Sequence, residues 1–519
     1  AVAALLWPAL SGGGFAYWDE FSHWGLAAKE IFARGALPPL ESALRFKDYP
    51  PGTALFQYYA AGFTGWSEGA ASFAQTLLPL AAAAALMQGT TWERAWKPAA
   101  ILSLSYLLAV FFNYRPQSLY VDHVLGFLFG TAIASSLLSE DGTRRTLVRL
   151  IPTLAVLPLI KAAGLVLALI AAAAAAAGHL IALRVRDGSL KRLGPVFLCA
   201  ALLLAPLAAA RSWNAHVARI GAAKTFDTGI TAAGLLAKFS GPSAETGVKT
   251  ALNFAEALFG KQVGRTLPPV VLVIILTLAA LAALKLERRA AENLRIRAVY
   301  LWLLAGFFVY SGGLLLLYLF SFSSYEGMKL ASFGRYMGTF FLGWSLATAA
   351  FFLRLPAAAA PSRGALLTAA ALVLGAAVTL AANALKKTPP EKTLLHRDIK
   401  AKAAYASART PADSRIYVIW QGSDGFEPQV MAYELSPRIT STRGGGWSLG
   451  KPYGPDDVWT ADLPPKEWGT VLRDYDFVLI GKADGRFWKE YGGVFGPGPR
   501  SEGLFKIPRG GKDLKLLPV

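Results

Sequence analysis

Apolar runs of roughly 17–23 residues recur along the first three quarters of this chain, and that is the length an α-helix needs to cross a bilayer. The segment PPVVLVIILTLAALAALKL, residues 268–286, is one example. Only 16% of the 519 residues are charged, whereas soluble proteins carry about a quarter. The sequence therefore predicts a polytopic α-helical membrane protein.

About eleven segments are candidate membrane helices by length and apolarity. They are 1–13, 69–88, 98–113, 120–139, 147–160, 162–183, 193–210, 268–286, 298–320, 333–353 and 364–384. We interpret the first as the tail of a truncated helix rather than as the remnant of a cleaved signal, because no cleavage pattern leads into a soluble domain.

Clusters of Lys and Arg fall at every second connection between these segments. Such clusters mark cytoplasmic loops, so the alternate connections face outward, among them loops 14–68 and 211–267 and the chain after residue 384. The net charge of +19 is explained by this pattern, and no nucleic-acid partner is predicted. The lone Cys199 lies in an apolar run, which excludes a disulfide framework and a thiolate metal site.

The last quarter of the chain has the composition of a soluble α/β domain. RIYVIW (415–420) and DFVLIG (476–481) are typical of short buried strands, and helical pieces follow each of them. The predicted organisation is a membrane domain over 1–384, a linker over 385–410 and a soluble extracytoplasmic domain over 411–519.

Two stretches of the first outer loop are predicted to lie in the headgroup region rather than to span the bilayer. TALFQYYAAGFTGW, residues 53–66, is short and rich in aromatic residues. The other stretch has apolar residues at helical spacing beside charged ones, namely Phe21, Trp24, Ala28 and Ile31. Such segments suit helices that lie along the membrane surface.

Ionisable side chains collect at the predicted outer edge of the membrane, where charge is costly and therefore a sign of function. The acids are Asp19 and Glu20 in the first outer loop and Asp122 at the start of a later helix. Lys161 stands in an outer turn, and Arg335 lies just inside a helix that begins at the outer face. A carboxylate can take a proton from an attacking hydroxyl, and cations can stabilise charge on a departing phosphate. The combination indicates group transfer from a lipid phosphate.

Each of these residues also has a simpler interpretation. Asp19, Glu20 and Asp122 suit helix N-termini, where acids are favoured. Lys161 and Arg335 suit membrane anchors whose long side chains carry their charge to the interface. The residues taken singly therefore leave both interpretations open.

Cofactor signals in the sequence are weak. Asp19 and His23 are four residues apart, one helical turn, which leaves a divalent cation open, but no paired ligand spacing is present and no metal ligand is assigned. STRGGGWSLG, residues 441–450, has no strand–GxGxxG–helix context, so it is predicted to be a loop and not a nucleotide site. No cofactor is predicted with certainty.

Five short motifs occur in order over residues 1 to about 340. They are DE at Asp19 and Glu20, YPPG at 49–52, YVDHVLGFLFG with Asp122, LIKAAGLVLAL with Lys161 and Gly164, and RY at Arg335 and Tyr336. In this order they resemble the GT-C superfamily of membrane glycosyltransferases, and within it the branch that uses polyprenyl-phosphate sugars. That branch includes the protein O-mannosyltransferases and the lipid A aminoarabinose transferases. The family's leucine after the double proline is Gly52 here.

The resemblance implies a GT-C-type enzyme that moves a sugar, with inversion, from a polyprenyl-phosphate donor to a hydroxyl of a protein, glycan or lipid acceptor. The reaction would take place on the extracytoplasmic side of a bacterial inner or plasma membrane. Asp19 would be the general base, and Glu20 and Asp122 would be the other catalytic residues. The residues assigned to substrate binding are Lys161, Arg335, Tyr336, Tyr49, Lys47, Arg115, His123, Arg211 and His216.

Three other classes of membrane protein stay open. An O-antigen ligase or polymerase uses a diphosphate-linked donor and relies on arginine and histidine in a large outer loop, where Arg211, His216 and Arg265 stand. A transporter or flippase would place polar residues near the membrane midplane in two related halves. A non-catalytic assembly subunit is the third class.

Overall fold

The structure is a computed structural model. It describes residues 2–88, 90, 96–138, 143–187, 193–225, 230–241, 244–265, 267–353, 363–384, 390–443, 445–498, 500–509 and 514–519. Within these ranges the chain forms a helical domain followed by a small α/β domain, as the sequence predicts.

The helical domain begins with a short helix and continues through long apolar ones. Its helices are α1 (Val2–Leu10), α2 (Gly25–Arg34), α3 (Gly52–Thr64), α4 (Glu68–Ala85), α5 (Trp96–Phe111), α6 (Asp122–Leu138), α7 (Thr143–Ile160), α8 (Gly164–Asp187), α9 (Leu193–Arg219), α10 (Ala232–Lys238), α11 (Ala244–Gly260), α12 (Pro269–Leu286), α13 (Ala290–Phe320), α14 (Ser324–Lys329), α15 (Phe333–Leu353) and α16 (Arg363–Ala384). A π-helical turn, Glu20–Trp24, leads directly into α2.

Four of the described helices are long and apolar enough to cross a membrane, judged by length and composition. They are Gly164–Arg184, Gly194–Arg219, Pro269–Leu286 and Ala290–Phe320. Shorter apolar helices are Trp96–Phe111, Asp122–Leu138 and Leu367–Thr379. All seven lie on segments predicted to span, and the total of eleven spans stays a prediction.

Two helices extend beyond their predicted ends. α9 continues to Arg219, so Arg211 and His216 lie on a helix and not in an outer loop. α13 begins at Ala290 rather than at residue 298, and it includes charged residues that were predicted to form a cytoplasmic loop. Polar residues can also form a helix, so α13 continues beyond its apolar part.

α6 and α15 pack backbone against backbone. A methyl group on Gly130 would lie 2.5 Å from a carbonyl oxygen of α15, and one on Gly126 would lie 2.8 Å from the Thr339 carbonyl oxygen. Small residues four apart let two membrane helices approach this closely. Asp122 and Arg335 each lie one turn before this contact, on the same helix faces. The packing therefore brings these two side chains together at the end where both helices begin.

The C-terminal domain is built around a five-stranded sheet. Its elements are α17 (Pro390–Ser407), β1 (Arg415–Trp420), α18 (Phe426–Leu435), β2 (Ile439–Thr440), β3 (Ser448–Leu449), β4 (Thr460–Ala461), α19 (Pro465–Val471), β5 (Phe477–Lys482), α20 (Gly485–Tyr491), β6 (Gly503–Lys506) and β7 (Leu517–Pro518). The strand order is β2-β1-β5-β6-β7. β1 pairs in parallel with β2 and β5, and β6 pairs antiparallel with β5 and β7.

Much of the predicted linker is a helix. α17 covers 390–407 and packs on α18, whereas residues 385–389 lie outside the described residues. Ile399, Ala403 and Ala406 are buried at helical spacing. Lys and Asp residues between them hide this apolar stripe in the sequence, so the composition indicated a linker.

The C-terminal domain covers the apolar face of the segment around α2. The Phe21 ring lies 5.4 Å from the Tyr433 ring and 5.9 Å from the Phe426 ring, measured between centroids. Lys29 Nζ donates a hydrogen bond of 2.6 Å to the Tyr433 carbonyl. The residues predicted to face the membrane surface, Phe21, Trp24, Ala28 and Ile31, are all buried. An apolar helix face looks the same in sequence whether lipid or protein covers it, and the position of this segment in the headgroup region stays a prediction.

α3, the other segment predicted to lie in the headgroup region, has an exposed aromatic face. Tyr59 is 65% exposed and Phe63 is 78% exposed. An exposed apolar face of this kind suits contact with lipid, so the interfacial position of α3 stays a prediction.

Candidate functional site

Two carboxylates and two cations form a continuous chain of ion pairs where α6 and α15 begin. Lys161 Nζ lies 3.0 Å from Asp122 Oδ1, and Arg335 Nε lies 3.5 Å from Asp122 Oδ2. Arg335 Nη1 lies 3.0 Å from Asp19 Oδ2. We call these four residues the ion-pair cluster. Their formal charges cancel, so they occupy a largely buried position without a net charge. Four residues from four separate motifs thus come together.

Aromatic rings hold the two cations of the cluster. The Arg335 guanidinium carbon lies 4.4 Å from the centre of the Tyr120 ring and 5.3 Å from that of Tyr336. Lys161 Nζ lies 4.7 Å from the same Tyr336 ring. These are cation–π distances, so Tyr336 contacts both cations at once and limits how far either can move.

The loop before α15 has an unusual backbone next to Arg335. Leu330 and Ser332 have φ angles of 50° and 58°, a left-handed conformation that costs non-glycine residues of order 1 kcal/mol. Surrounding contacts hold the loop: the Tyr318 hydroxyl donates to the Ala331 carbonyl at 2.8 Å, and Arg335 Nη2 donates to Ser332 Oγ at 3.2 Å. The strained loop therefore fixes the position from which Arg335 extends.

Glycines make the turn that carries Lys161 and the helix that packs beside it. The Gly164 N–H donates to the Lys161 carbonyl at 2.8 Å, and a methyl group on Gly164 would lie 2.0 Å from the Leu157 carbonyl oxygen. A methyl group on Gly52 would lie 2.5 Å from the Leu159 carbonyl oxygen. Gly52, where the resembled family has leucine, therefore lets the start of α3 reach the end of α7.

A cavity of about 350 Å³ opens beside the ion-pair cluster. Helices α6, α8, α13 and α15 form its walls. Its apolar lining includes Leu125, Val166, Leu314, Leu317 and Phe322, and Asp122, Lys161, Tyr49 and Tyr336 stand at its polar end. This volume lies in the range of ligand pockets, about 300–1,000 Å³. An apolar cavity with cations at one end suits an amphiphile that has an anionic head.

Glu20 is fully buried and binds backbone. Its Oε2 accepts hydrogen bonds from the N–H groups of Ala16 and Tyr17 at 2.8 and 2.9 Å, and its Oε1 accepts one from Leu119 at 2.8 Å. Burial raises the pKa of Glu20 to about 7, against the opposing effect of these donors. Glu20 thereby ties the turn that carries Asp19 to the loop before α6, which is a positioning role.

His23 lies in an aromatic pocket. Its ring centroid is 4.6 Å from that of Trp24 and 4.9 Å from that of Tyr49. Burial, with help from Lys47 and Lys161, lowers the pKa of His23 to about 3, so the ring is neutral at pH 7. Among the described residues, no three His, Cys, Asp or Glu side chains come together as metal ligands.

Three of the predicted substrate-binding residues surround the turn that carries Asp19. Tyr49 lines the cavity directly. Lys47 Nζ donates to two carbonyls of its own loop, at 2.5 and 2.9 Å. Arg115 donates to the Tyr17 hydroxyl, two residues before Asp19. Tyr49 is therefore placed to contact a ligand, whereas Lys47 and Arg115 hold the surrounding loops.

The remaining predicted substrate-binding residues are His123, Arg211 and His216. His123 Nε2 lies 2.8 Å from the Phe112 carbonyl oxygen, Arg211 is exposed on α9, and the His216 ring stacks on that of Trp213 at 5.0 Å. Within the described residues, neither Arg211 nor His216 forms a hydrogen bond or ion pair with the ion-pair cluster.

Three residues of the site were not singled out from the sequence, namely Tyr120, Ser332 and Tyr310. Tyr120 stacks on Arg335, and its place two residues before Asp122 in the same motif is a usable signal. The Tyr310 hydroxyl donates to the Tyr336 carbonyl at 3.0 Å and also lines the cavity. Tyr310 lies inside a long apolar run, where nothing in the sequence separates it from residues that face lipid.

Comparison with known proteins finds structural similarity only. No family model and no curated protein sequence matches the chain. The chain is similar to the crystal structure of ArnT from Cupriavidus metallidurans in the apo state, at 13% identity and a TM-score of 0.42, over 95% of this chain and 93% of that one. It is also similar to ArnT from the same organism bound to undecaprenyl phosphate, at 12% identity and a TM-score of 0.38, over 87% and 85%.

Proposed function

We propose that this chain is an integral membrane glycosyltransferase that moves a sugar, with inversion, from a polyprenyl phosphate to an acceptor hydroxyl. One observation carries the proposal: the ion-pair cluster stands at the head of an apolar cavity of about 350 Å³. A carboxylate base, two cations and room for a lipid chain are thereby adjacent.

The donor would bind with its lipid in the cavity and its phosphate against the cations. Lys161 and Arg335 would receive the phosphate, and Tyr336, which contacts both, would keep them apart. Asp122 lies between the two cations and holds them in place before the donor arrives. The phosphodiester carries one negative charge, so it would compete with the carboxylates for the cations.

Asp19 would act as the general base. The acceptor oxygen attacks the anomeric carbon from the face opposite the phosphate, and its proton passes to Asp19. The bond from the anomeric carbon to the phosphate oxygen breaks, and its electron pair leaves with the polyprenyl phosphate. One bond forms as one breaks, so the anomeric configuration inverts. Arg335 holds Asp19 through Oδ2, and the acceptor hydroxyl is expected at the other oxygen.

The cations would stabilise the transition state more than the bound donor. The departing phosphate gains a second negative charge as the sugar leaves. Lys161 and Arg335 lie in a partly buried site, with side-chain exposures of 13% and 24%, where charge interactions are stronger than in water. Preorganised charges of this kind favour the developing anion.

The reaction is assigned to the extracytoplasmic face of a bacterial inner or plasma membrane. The distribution of basic loops in the sequence supports this side. The C-terminal domain packs on the π-helical turn that follows Asp19, through Phe21, so the domain and the site would lie on the same side of the membrane. The acceptor would be a protein, a glycan or a lipid, and Lys47, Arg115, His123, Arg211 and His216 stay candidates for contacting it or the donor.

The proposal is tested with purified protein and a panel of polyprenyl-phosphate sugars. We expect one donor to lose its sugar to an acceptor or to water, measured as release of polyprenyl phosphate. Asp19→Asn should lower that rate by about 10²–10⁴-fold, the usual contribution of a general base. Asp413→Asn makes the same chemical change at an exposed position of the C-terminal domain and serves as the matched control.

Two results would count against the assignment. Undiminished transfer by Asp19→Asn, with the control also active, would remove Asp19 as the base. A donor panel from which no sugar is released, by protein that still binds undecaprenyl phosphate, would point to a non-catalytic lipid-binding subunit.

A further inference from the structure

A second cavity, of about 550 Å³, lies where the first outer loop meets the C-terminal domain. Residues 40–42 form one side of it, and strands β1 and β2 with the end of α19 form the other. Its volume is that of a ligand pocket, and such pockets occur preferentially at domain interfaces. The ion-pair cluster does not line this cavity, so the proposed reaction leaves it unassigned.

Tyrosine rings and charged side chains line this second cavity. The rings of Tyr417 and Tyr475 are 5.2 Å apart and nearly perpendicular, at 86°. The Arg415 guanidinium lies 6.0 Å from the Tyr475 ring. Arg415 and Glu41 are both exposed and stand on opposite sides of the domain boundary. The cavity thus offers an aromatic face, a donor group and an acceptor group.

The glycine run of the C-terminal domain shapes one edge of this cavity. Gly445 and Gly446 have φ angles of 89° and 79°, which favour glycine. The Gly446 carbonyl accepts a hydrogen bond of 2.8 Å from the Tyr417 hydroxyl, and a methyl group on Gly446 would lie 2.8 Å from that hydroxyl oxygen. The glycines therefore let the loop close on Tyr417.

The chemistry of the lining favours a saccharide over a peptide or a lipid chain. A peptide strand would need a long free sheet edge, but the edge strand β2 has only two residues, Ile439 and Thr440. A lipid chain would need a continuous apolar wall, whereas Arg415 and Glu41 interrupt this one. A sugar has apolar faces that stack on aromatic rings and hydroxyls that bind charged groups, and Tyr475 with Arg415 provides both.

The loop that borders this cavity continues to the proposed active site. The Ser42 carbonyl accepts a hydrogen bond from Lys47 Nζ at 2.5 Å, and the Arg45 N–H donates to the carbonyl of Ser22, in the turn after Asp19. Tyr49, seven residues after Ser42, lines the donor cavity. A molecule bound against residues 40–42 is therefore connected to the donor site by one short, hydrogen-bonded loop.

We propose that the second cavity is a saccharide-binding subsite that holds a glycan acceptor for the transfer reaction. Tyr475 stacks on a sugar ring, and Arg415 and Glu41 bind its polar groups from opposite sides of the domain boundary. The acceptor role rests on the proposed function, whereas saccharide binding itself does not.

Binding is measured by calorimetry on the full-length protein in detergent, with maltotriose, chitotriose and trigalacturonate as probes. We expect saturable binding of at least one of them. Tyr475→Ala and Arg415→Gln should each weaken it about tenfold or more, since a charge-assisted contact or an aromatic face is lost. Arg473→Gln, at an exposed position on the same segment, is the matched control.

The outcomes separate the subsite from the reaction. Binding that responds to Tyr475→Ala but not to the control Arg473→Gln supports the subsite, even in a preparation that transfers no sugar. Absence of binding by all three probes, or binding that both cavity variants leave unchanged, would overturn it. Where transfer is observed, the bound probe should raise polyprenyl-phosphate release in the native chain and not in Arg415→Gln; an equal rise in both would overturn the acceptor role alone.

Discussion

Replacing Asp122 by asparagine tests the ion-pair cluster most directly. The native carboxylate lies 3.0 Å from Lys161 Nζ and 3.5 Å from Arg335 Nε, with its side chain 6% exposed. Asp122→Asn keeps the shape of the side chain and removes its charge, so the two cations face each other with only Asp19 to compensate. The four residues then carry a net charge of +1 in a site that is largely closed to water.

Removing one partner from a buried ion pair costs about 3–5 kcal/mol. We expect the lower end, about 3 kcal/mol, because the two cations are 13% and 24% exposed and asparagine still accepts a hydrogen bond. With about 2.1 cal/mol/K of unfolding entropy per residue, as in globular proteins, this corresponds to a fall of about 3 °C in Tm. Undecaprenyl phosphate should recover the loss, because its phosphate supplies the missing negative charge. The rise in Tm on adding this lipid should therefore be larger for Asp122→Asn than for the native chain.

The assay is the melting of purified protein followed by intrinsic tryptophan fluorescence, with and without undecaprenyl phosphate. Asp413→Asn, the same change at an exposed position, should melt and respond as the native chain does. If Asp122→Asn melts within about 1 °C of native and gains no more from the lipid, the cluster is not the phosphate site and the reasoning fails.

Three further predictions concern the surroundings of the cluster. Gly130→Ala should destabilise the protein by about 1–3 kcal/mol through overpacking of α6 on α15, seen as a lower Tm, while Gly62→Ala, which meets nothing within 4 Å, should be neutral or stabilising. Burial raises the pKa of Glu20 from 4.5 to about 7. The stability that Glu20 contributes is therefore fully present below pH 4.5 and is lost as pH rises through 7, so the Tm should fall over this range. Glu20→Gln, which also loses the Leu119 hydrogen bond, should make that fall smaller, and an unchanged pH profile would contradict the prediction. Tyr433→Ala removes the ring that contacts Phe21 and Lys29 from the C-terminal domain, so we expect a loss of about 3 kcal/mol and slower transfer. Native turnover would show that the domain does not position Asp19.

Much of the candidate site was predictable because its residue types are unusual for their surroundings. Asp19, Asp122, Lys161 and Arg335 are ionisable residues at the ends of apolar segments, where charge is costly, and short motifs contain all of them. The strands β1 and β5 were equally clear, since runs such as RIYVIW are rich in β-branched and aromatic residues. These signals depend on residues that are close together in the chain, so a single sequence is enough to identify them.

Other features depended on which surfaces meet. The apolar face formed by Phe21 and Ile31 could be predicted from the sequence. Its partner Tyr433, more than 400 residues later, could not. α17 was predicted as a linker because its buried stripe of Ile399 and Ala403 is narrow and is interrupted by charges. Glu20 was visible as an acid, yet its three backbone donors come from two separate loops.

Composition and spacing were enough to predict that the chain is rich in apolar helices and that its last quarter forms an α/β domain. They also identified the charged residues that stand at the ends of apolar segments. The packing of distant segments, in contrast, brings four of those residues within contact distance and opens an apolar cavity beside them. The physical reason is that helix formation and apolar burial depend on neighbours along the chain. The pairing of Asp122 with Arg335 depends instead on glycines that let two distant helices touch.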